Sequence, residues 1–228
     1  MRTLVVIPTL NEAQTIARVV NGVRAVCDGD IVVIDDGSED DSAQRARAAG
    51  AMVLRHPCNL GLGAAVQTGF MYALAHDYDA VVRLDGDGQH DPAYVPQFLN
   101  ELATDHADVI IGSRFLAREG YQSTFVRRTG ILILGVLSAL VGTRVTDPTS
   151  GYWAVNRRAL GVLARSQPDD YPETQALVQA TRAGCRIREV PVIMQARNAG
   201  RSSIGALHSG FYMVKVILAV LIERLRRR

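Results

Sequence analysis

Val81–His90 reads V-V-R-L-D-G-D-G-Q-H, an apolar run that stops abruptly at two aspartates separated by one glycine. Residues two apart on an extended chain point the same way, so Asp85 and Asp87 can present two hard oxygen ligands together. Gly86 and Gly88 keep side-chain bulk away and let the backbone turn sharply. Two carboxylates at a strand end suit Mg²⁺ or Mn²⁺ carrying a diphosphate, because such ions take a few carboxylates and add phosphate oxygens. An Asp-x-Asp alone is equally a solvated acidic turn. The flanking sequence decides between the two.

Upstream, apolar strands alternate with helices. Thr3–Ile7 is β-branched and apolar and stops at Pro8, and Ile31–Ile34 ends in Asp35-Asp36-Gly37-Ser38. Met52–Arg55, Ala80–Leu84 and Val109–Gly112 read as further strands. Between them, helical periodicity predicts a helix capped by Asn11 or Thr15 and running through Val26, with Ile16, Val19, Val20 and Val23 on one face. Others are expected from Ser42 to Ala49, over Gly63–Ala75 and over Tyr94–Ala103. Strands that are apolar throughout, alternating with helices, specify an α/β fold with a mostly parallel sheet covered on both faces. Ligands of such sheets bind beyond the carboxyl ends of the strands. Pro8–Glu12, Asp35–Ser38 and Asp85–His90 all fall at such ends, a coincidence that packing does not account for. Beyond Arg114 the alternation loosens into apolar helices, a polar turn at Asp147–Tyr152 and a short strand over Glu189–Met194.

With 228 residues the chain has room for one large domain with a proper core. Its 48% hydrophobic and 21% charged residues are those of a folded protein. A net charge of +2 carries no nucleic-acid signature, and no nucleic-acid partner is expected. Cys27, Cys58 and Cys185 lie far apart without metal-ligand spacing, as befits reduced thiols of a cytoplasmic protein. No signal peptide opens the sequence. Two later segments, Ile131–Gly142 and Phe211–Ile222, are unusually apolar but fall short of the roughly 20 residues that span a bilayer. Each has arginines at one end, which suits a helix lying in a membrane interface. The first reads equally as a buried core helix. The second, with its basic tail, reads as a contact with a membrane surface, a small membrane-protein partner or a second copy in a homodimer. Residues 1–205 are therefore expected to form the catalytic domain, and residues 206–228 an associating helix at the cytoplasmic face of the membrane.

The motifs resemble glycosyltransferase family 2. P-T-L-N-E at Pro8–Glu12, D-D-G-S at Asp35–Ser38, N-L-G-L-G-A-A at Asn59–Ala65 and D-G-D-G-Q-H at Asp85–His90 carry the likeness. G-S-R-F at Gly112–Phe115, D-P-T-S-G-Y at Asp147–Tyr152 and R-N-A-G-R-S-S at Arg197–Ser203 are similar to its dolichyl- and polyprenyl-phosphate hexose synthase branch. The resemblance implies a GT-A (Rossmann-like) fold and transfer of a sugar from a UDP-, GDP- or dTDP-sugar. By position it implies that Pro8, Leu10 and Glu12 contact the nucleotide and that Ile34 and Asp36 hold the base or ribose. It places Asp85, Gly86, Asp87 and Gln89 around the metal and diphosphate. Arg114 and Arg197 match arginines near the phosphates. Arg127 resembles one that receives a lipid phosphate, although with Arg128 beside it a surface charge is equally compatible.

These residue types fit the chemistry. Negative charge develops on the departing diphosphate, where a divalent cation and arginines stabilise it. A polyprenyl phosphate acceptor is largely dianionic at neutral pH and needs no strong general base. Direct displacement then inverts the anomeric centre. Asp147 is the candidate supporting carboxylate, or else fixes the turn before Pro148. Asn59, Gly61 and Gly63 shape a loop before a helix N-terminus, and Glu173 is expected to face the site. The competing function keeps the enzyme class but uses a soluble or growing glycan as acceptor. A nucleotidyltransferase would carry a basic glycine-rich loop after the first strand, where this chain has Pro8–Glu12.

Overall fold

The computed structural model describes residues 1–117, 145–165 and 172–195. Arg127, Arg197 and the two apolar segments Ile131–Gly142 and Phe211–Ile222 lie outside the described residues.

The described chain folds around a seven-stranded sheet of order β3-β2-β1-β4-β6-β5-β7. The strands are β1 (Thr3–Thr9), β2 (Asp30–Asp35), β3 (Met52–Arg55), β4 (Ala80–Arg83), β5 (Val109–Ser113), β6 (Trp153–Asn156) and β7 (Ile187–Pro191). The longer helices are α1 (Ile16–Arg24), α2 (Ser42–Ala48), α3 (Leu62–Ala75) and α4 (Val95–Ala103), then α5 (Arg114–Ala117), α6 (Arg157–Leu163) and α7 (Pro172–Arg182). All strand pairings are parallel except those of β6, which runs antiparallel to both β4 and β5.

The central strand shows why the apolar runs lack alternation. Every residue of β1 is buried. Leu4 and Val6 face one layer with Val66 and Phe70 of α3 and Leu160 and Leu163 of α6. Val5 and Ile7 face the other with Ile16, Val19, Val20 and Val23 of α1 and Phe98 of α4. Each buried aliphatic or aromatic side chain contributes about 1.5–3 kcal/mol by leaving water, so two covered faces double what one strand can supply. Helix α3 lies so close to the sheet that a Cβ on Gly69 would come within 2.3 Å of Val6 Cγ1.

Strand β1 does not stop at Pro8 but continues to Thr9. The Asp36 amide donates to Thr9 O on the β2 side and the Leu84 amide to Val6 O on the β4 side. Pro8 therefore turns its nitrogen towards β4, which has ended at Arg83, and the missing N–H breaks no ladder bond. Helix α1 takes Thr15, one of the two predicted caps, and ends at Arg24, two residues before the predicted end; Asn11, at φ 54°, lies outside it. The sequence pattern does not announce β6. Its four residues follow the polar turn expected at Asp147–Tyr152, yet they insert between β4 and β5. Because β6 runs backwards, its start lies at the edge where the parallel strands end. That brings Asp147–Gly151 beside Asp85.

At the opposite end of β5, Asp108 is 1% exposed and ties three elements together. It accepts bonds from Asn156 Nδ2 at 2.9 Å, the Arg186 amide at 2.7 Å and Arg158 Nη1 at 3.3 Å. Burial opposes its charge, but these donors override that and hold its carboxyl down at about 2. A depressed carboxyl stabilises the fold above its unfolded value near 4 and loses that contribution as pH falls towards 2. Discounted for the half-exposed guanidiniums, the contribution is about 1–2 kcal/mol. Urea midpoints should fall between pH 4 and pH 2 more steeply for the wild type than for Asp108→Asn.

Candidate active site

Loops from β1, β2 and β4 meet above the sheet and are knitted by polar groups. The Asn11 amide donates to Ser38 Oγ at 2.9 Å, and Asn11 Oδ1 accepts from the Glu39 amide at 2.9 Å. The Glu12 amide donates to Ser42 Oγ at 2.7 Å. Thr15 Oγ donates to Gly86 O at 2.7 Å, joining the start of α1 to the aspartate loop. Pro8, Glu12, Ile34 and Gly86 are buried in this region, and Leu10 is half-buried.

Asp36 is 3% exposed and already committed to the protein. Its Oδ1 accepts from His56 Nδ1 at 2.7 Å and the Leu60 amide at 2.9 Å, and its Oδ2 accepts from the Gly61 amide at 2.9 Å. His56 Nε2 lies 2.9 Å from Thr68 Oγ on α3. The carboxylate thus holds the loop that leads into α3. Gly37, at φ 77°, lets the same loop pass, since a Cβ there would meet the Cys58 carbonyl carbon at 2.6 Å. His56 is a contributor that sequence reasoning passed over, because a lone histidine after a strand carries no pattern.

Asp85, Asp87 and Gln89 lie in the loop that follows β4, with the Asp85 side chain 32% exposed. Asp87 Oδ1 accepts from the Gln89 amide at 2.9 Å. The Gln89 side-chain amide reaches Gln195 O at 3.4 Å, linking the loop to the chain after β7. Beneath them His90 is 3% exposed and stacks on Tyr152, ring centroids 4.9 Å apart. The Asp85 amide donates to His90 Nδ1 at 3.0 Å, so the neutral ring carries its proton on Nε2. Burial, reinforced by Arg83 and Arg114 against the pull of Asp87 and Asp147, brings His90 down to about 4. The ring is therefore a neutral prop for the aspartate loop at physiological pH.

Two arginines lie nearby, Arg83 buried and Arg114 half-buried. Arg114 grips Asp147 in a fork, Nε to Oδ2 at 2.7 Å and Nη2 to Oδ1 at 2.6 Å, and Nη2 also donates to Thr149 Oγ at 2.8 Å. Asp147 is fully buried, so its carboxylate addresses Arg114 and not an open cleft. Glu189 of β7 accepts the Thr146 and Asp147 amides at 2.7 and 2.9 Å and so fixes the turn. Arg83 Nη2 donates to Glu173 Oε1 at 2.8 Å and lies 3.4 Å from Asp85 Oδ1. Burial opposes its charge, but Glu173 and Asp85 outweigh that and hold the guanidinium above its ordinary value. Arg83 was legible as a cation inside an apolar strand, on the same side as Asp85, but its partner could not be named without the fold.

The donor set suits a hard divalent cation. Two carboxylates and an amide oxygen sit at a strand end, and bare backbone keeps their approach clear. A Cβ on Gly86 would lie 2.7 Å from Thr9 Oγ, and one on Gly151 would lie 3.1 Å from Asp85 Oδ2. No cluster of three or more His, Cys, Asp or Glu able to hold a metal occurs among the described residues. Two carboxylates and one amide oxygen would be part of a shell, which Mg²⁺ and Mn²⁺ can complete with substrate phosphates. No helix among the described residues is long and apolar enough to cross a membrane.

Residues 4–163 match the family model described as Glycosyl transferase family 2. The chain is similar to the undecaprenyl-phosphate mannosyltransferase of Micrococcus luteus, 33% identical over 242 aligned residues that cover 100% of this chain and 99% of that protein. It is similar to the dolichyl-phosphate hexose transferase of Haloferax volcanii, 32% identical with 97% and 95% covered. Among solved structures it resembles glucosyl-3-phosphoglycerate synthase from Mycobacterium tuberculosis in complex with Mn²⁺, UDP-glucose and phosphoglyceric acid. There the TM-score is 0.72 and the identity 26%, with 98% of this chain and 79% of that chain covered.

Proposed function

This chain belongs to glycosyl transferase family 2, and on that footing we propose that it moves a hexose from a nucleotide diphosphate sugar to a polyprenyl phosphate, with inversion and with help from Mg²⁺ or Mn²⁺. The observation that carries the reading is the pairing of a partly exposed Asp85–Asp87 loop after β4 with a pre-oriented Arg114. Each serves one half of a reaction between two phosphate-bearing substrates.

Asp85, Asp87 and Gln89 would hold the cation, which supplies charge neutralisation to the leaving diphosphate. Leu10, with the segments that carry the buried Pro8, Glu12 and Ile34, would line the approach for the nucleotide, and Asp36 shapes that wall through the Gly61 loop. Among the described residues, the bonds of Arg114 engage Nε and Nη2 and leave Nη1 to a substrate phosphate. Asp147 and Thr149 thus aim the guanidinium without blocking it, and a planar fork suits phosphate oxygens. The acceptor phosphate oxygen forms a bond to the anomeric carbon as the bond to the donor's β-phosphate breaks. Because that acceptor is already an anion, no side chain must take a proton. Arg127 and Arg197 would add positive charge where the acceptor phosphate docks, with residues 206–228 keeping the catalytic domain, residues 1–205, at the lipid surface.

A second reading has a specific observation behind it. The solved relatives bind phosphoglyceric acid, so a soluble phosphorylated acceptor is the alternative. The full-length likeness to an undecaprenyl-phosphate mannosyltransferase favours the lipid. The test supplies purified protein and Mn²⁺ with labelled UDP-, GDP- and dTDP-sugars and undecaprenyl phosphate or phosphoglycerate. Label passing into organic solvent supports the proposal. Label appearing only in phosphoglycerate or another water-soluble product contradicts it.

A further inference from the structure

Arg83 is a guanidinium inside the sheet, 2% exposed, two residues before Asp85. It is shared unequally. Nη2 lies 2.8 Å from Glu173 Oε1 on α7, whose side chain is 12% exposed, and 3.4 Å from Asp85 Oδ1, whose side chain is 32% exposed. The shorter contact therefore goes to the more buried carboxylate and the longer one to the more exposed carboxylate. Arg83 Nε is buried without a hydrogen-bond partner among the described residues. Charge at the Nη2 end, not a full set of hydrogen bonds, decides where the guanidinium sits. Gly151 closes the third side: a Cβ there would stand 3.1 Å from Asp85 Oδ2 and 3.2 Å from Arg83 Nη2. No larger side chain at 151 could leave the trio undisturbed.

Resting on the reading of Asp85 as a metal ligand, we infer that Glu173 sets the affinity of Asp85 for a divalent cation by drawing Arg83 away from it. A guanidinium bonded to Asp85 competes with a metal ion for the same oxygens and repels it as well. Both effects are large where water is scarce. Glu173 cancels that charge locally and holds the nitrogen at its long distance from Asp85. It acts as a positioning residue, through Arg83, and touches neither substrate nor ion.

The arrangement predicts effects of opposite sign. Mn²⁺ binding to the purified full chain is followed by the electron paramagnetic resonance of the free ion, without sugar or acceptor. Asp85→Asn serves as control. In Glu173→Gln the released Arg83 should settle on Asp85 and weaken Mn²⁺ binding about tenfold. In the double variant R83M/E173Q, the competing cation is gone too, and affinity should return to within about threefold of the wild type or exceed it. A merely structural pair would leave the double variant as weak as Glu173→Gln or weaker. Should Glu173→Gln fail to fold, Glu173→Asp, which retracts the carboxylate by one methylene, is expected to weaken binding in the same direction. If the wild type binds Mn²⁺ and Asp85→Asn loses it, yet Glu173→Gln matches the wild type or the double variant regains nothing, the inference fails while the metal reading stands. A wild type that binds no Mn²⁺, alone or with UDP, GDP or dTDP, overturns both.

Discussion

Asp87→Ala is expected to lower kcat/KM for sugar transfer by about a thousandfold or more, some 4 kcal/mol of transition-state stabilisation, with the fold retained. The size follows from what the proposed ligand does. Negative charge accumulates on the departing diphosphate, and a cation fixed against it in a partly dry cleft acts where the charge appears. The fold should survive because the Asp87 side chain is only half-buried and one of its contacts, the Gln89 amide at 2.9 Å, is local to the turn. Losing such a bond costs about 1 kcal/mol. Steady-state rates at saturating Mn²⁺, set beside thermal melts of the same preparations, separate the two quantities. A variant that turns over normally would remove Asp87 from the reaction.

Arg114→Ala should act on stability as well as rate. Its guanidinium is the fork that neutralises Asp147, a carboxylate with no exposed surface. Deleting one partner leaves a buried charge unpaired, which costs about 3–5 kcal/mol. The double variant R114M/D147N should recover much of that stability, since it leaves no charge behind. It should not recover activity, because the Nη1 donors proposed for the phosphate are absent from both variants. Urea midpoints and transfer rates measured on the single and double variants check both halves. Recovery of activity in the double variant would show that Arg114 only braces Asp147.

Much of this arrangement was legible before any coordinates. Strands that are covered on both faces are apolar through most of their length, so β1, β2, β4 and β5 stood out. Polar residues where those strands end had to lie along one edge, which located Asp85 and Asp87. Strand β6 escaped because it follows the stretch where the strand–helix alternation has loosened, and nothing local marks a strand as antiparallel. With β6 unseen, the nearness of Gly151 to Asp85 was hidden, and the turn at Asp147 could be read either as support for substrate or as packing. Its fully buried carboxylate, forked by Arg114, shows that it organises another residue. Asp36 teaches the same lesson. The family resemblance marked it for the nucleotide, while its bonds to His56 and to the Leu60 and Gly61 amides come from segments some two dozen residues away. Partnerships of that kind are products of topology, and a pattern of residue types along a chain does not encode them directly.

The central claim is that a divalent ion and the donor's diphosphate meet at the carboxyl end of β4. Anomalous scattering at the manganese edge, from crystals grown with Mn²⁺ and a nucleotide sugar that the enzyme accepts, tests it most directly. The account predicts a single strong peak within coordination distance of Asp87, close to the Asp85 carboxylate, with diphosphate oxygens completing its shell. A nucleotide bound elsewhere, with no manganese peak beside those aspartates, would contradict it.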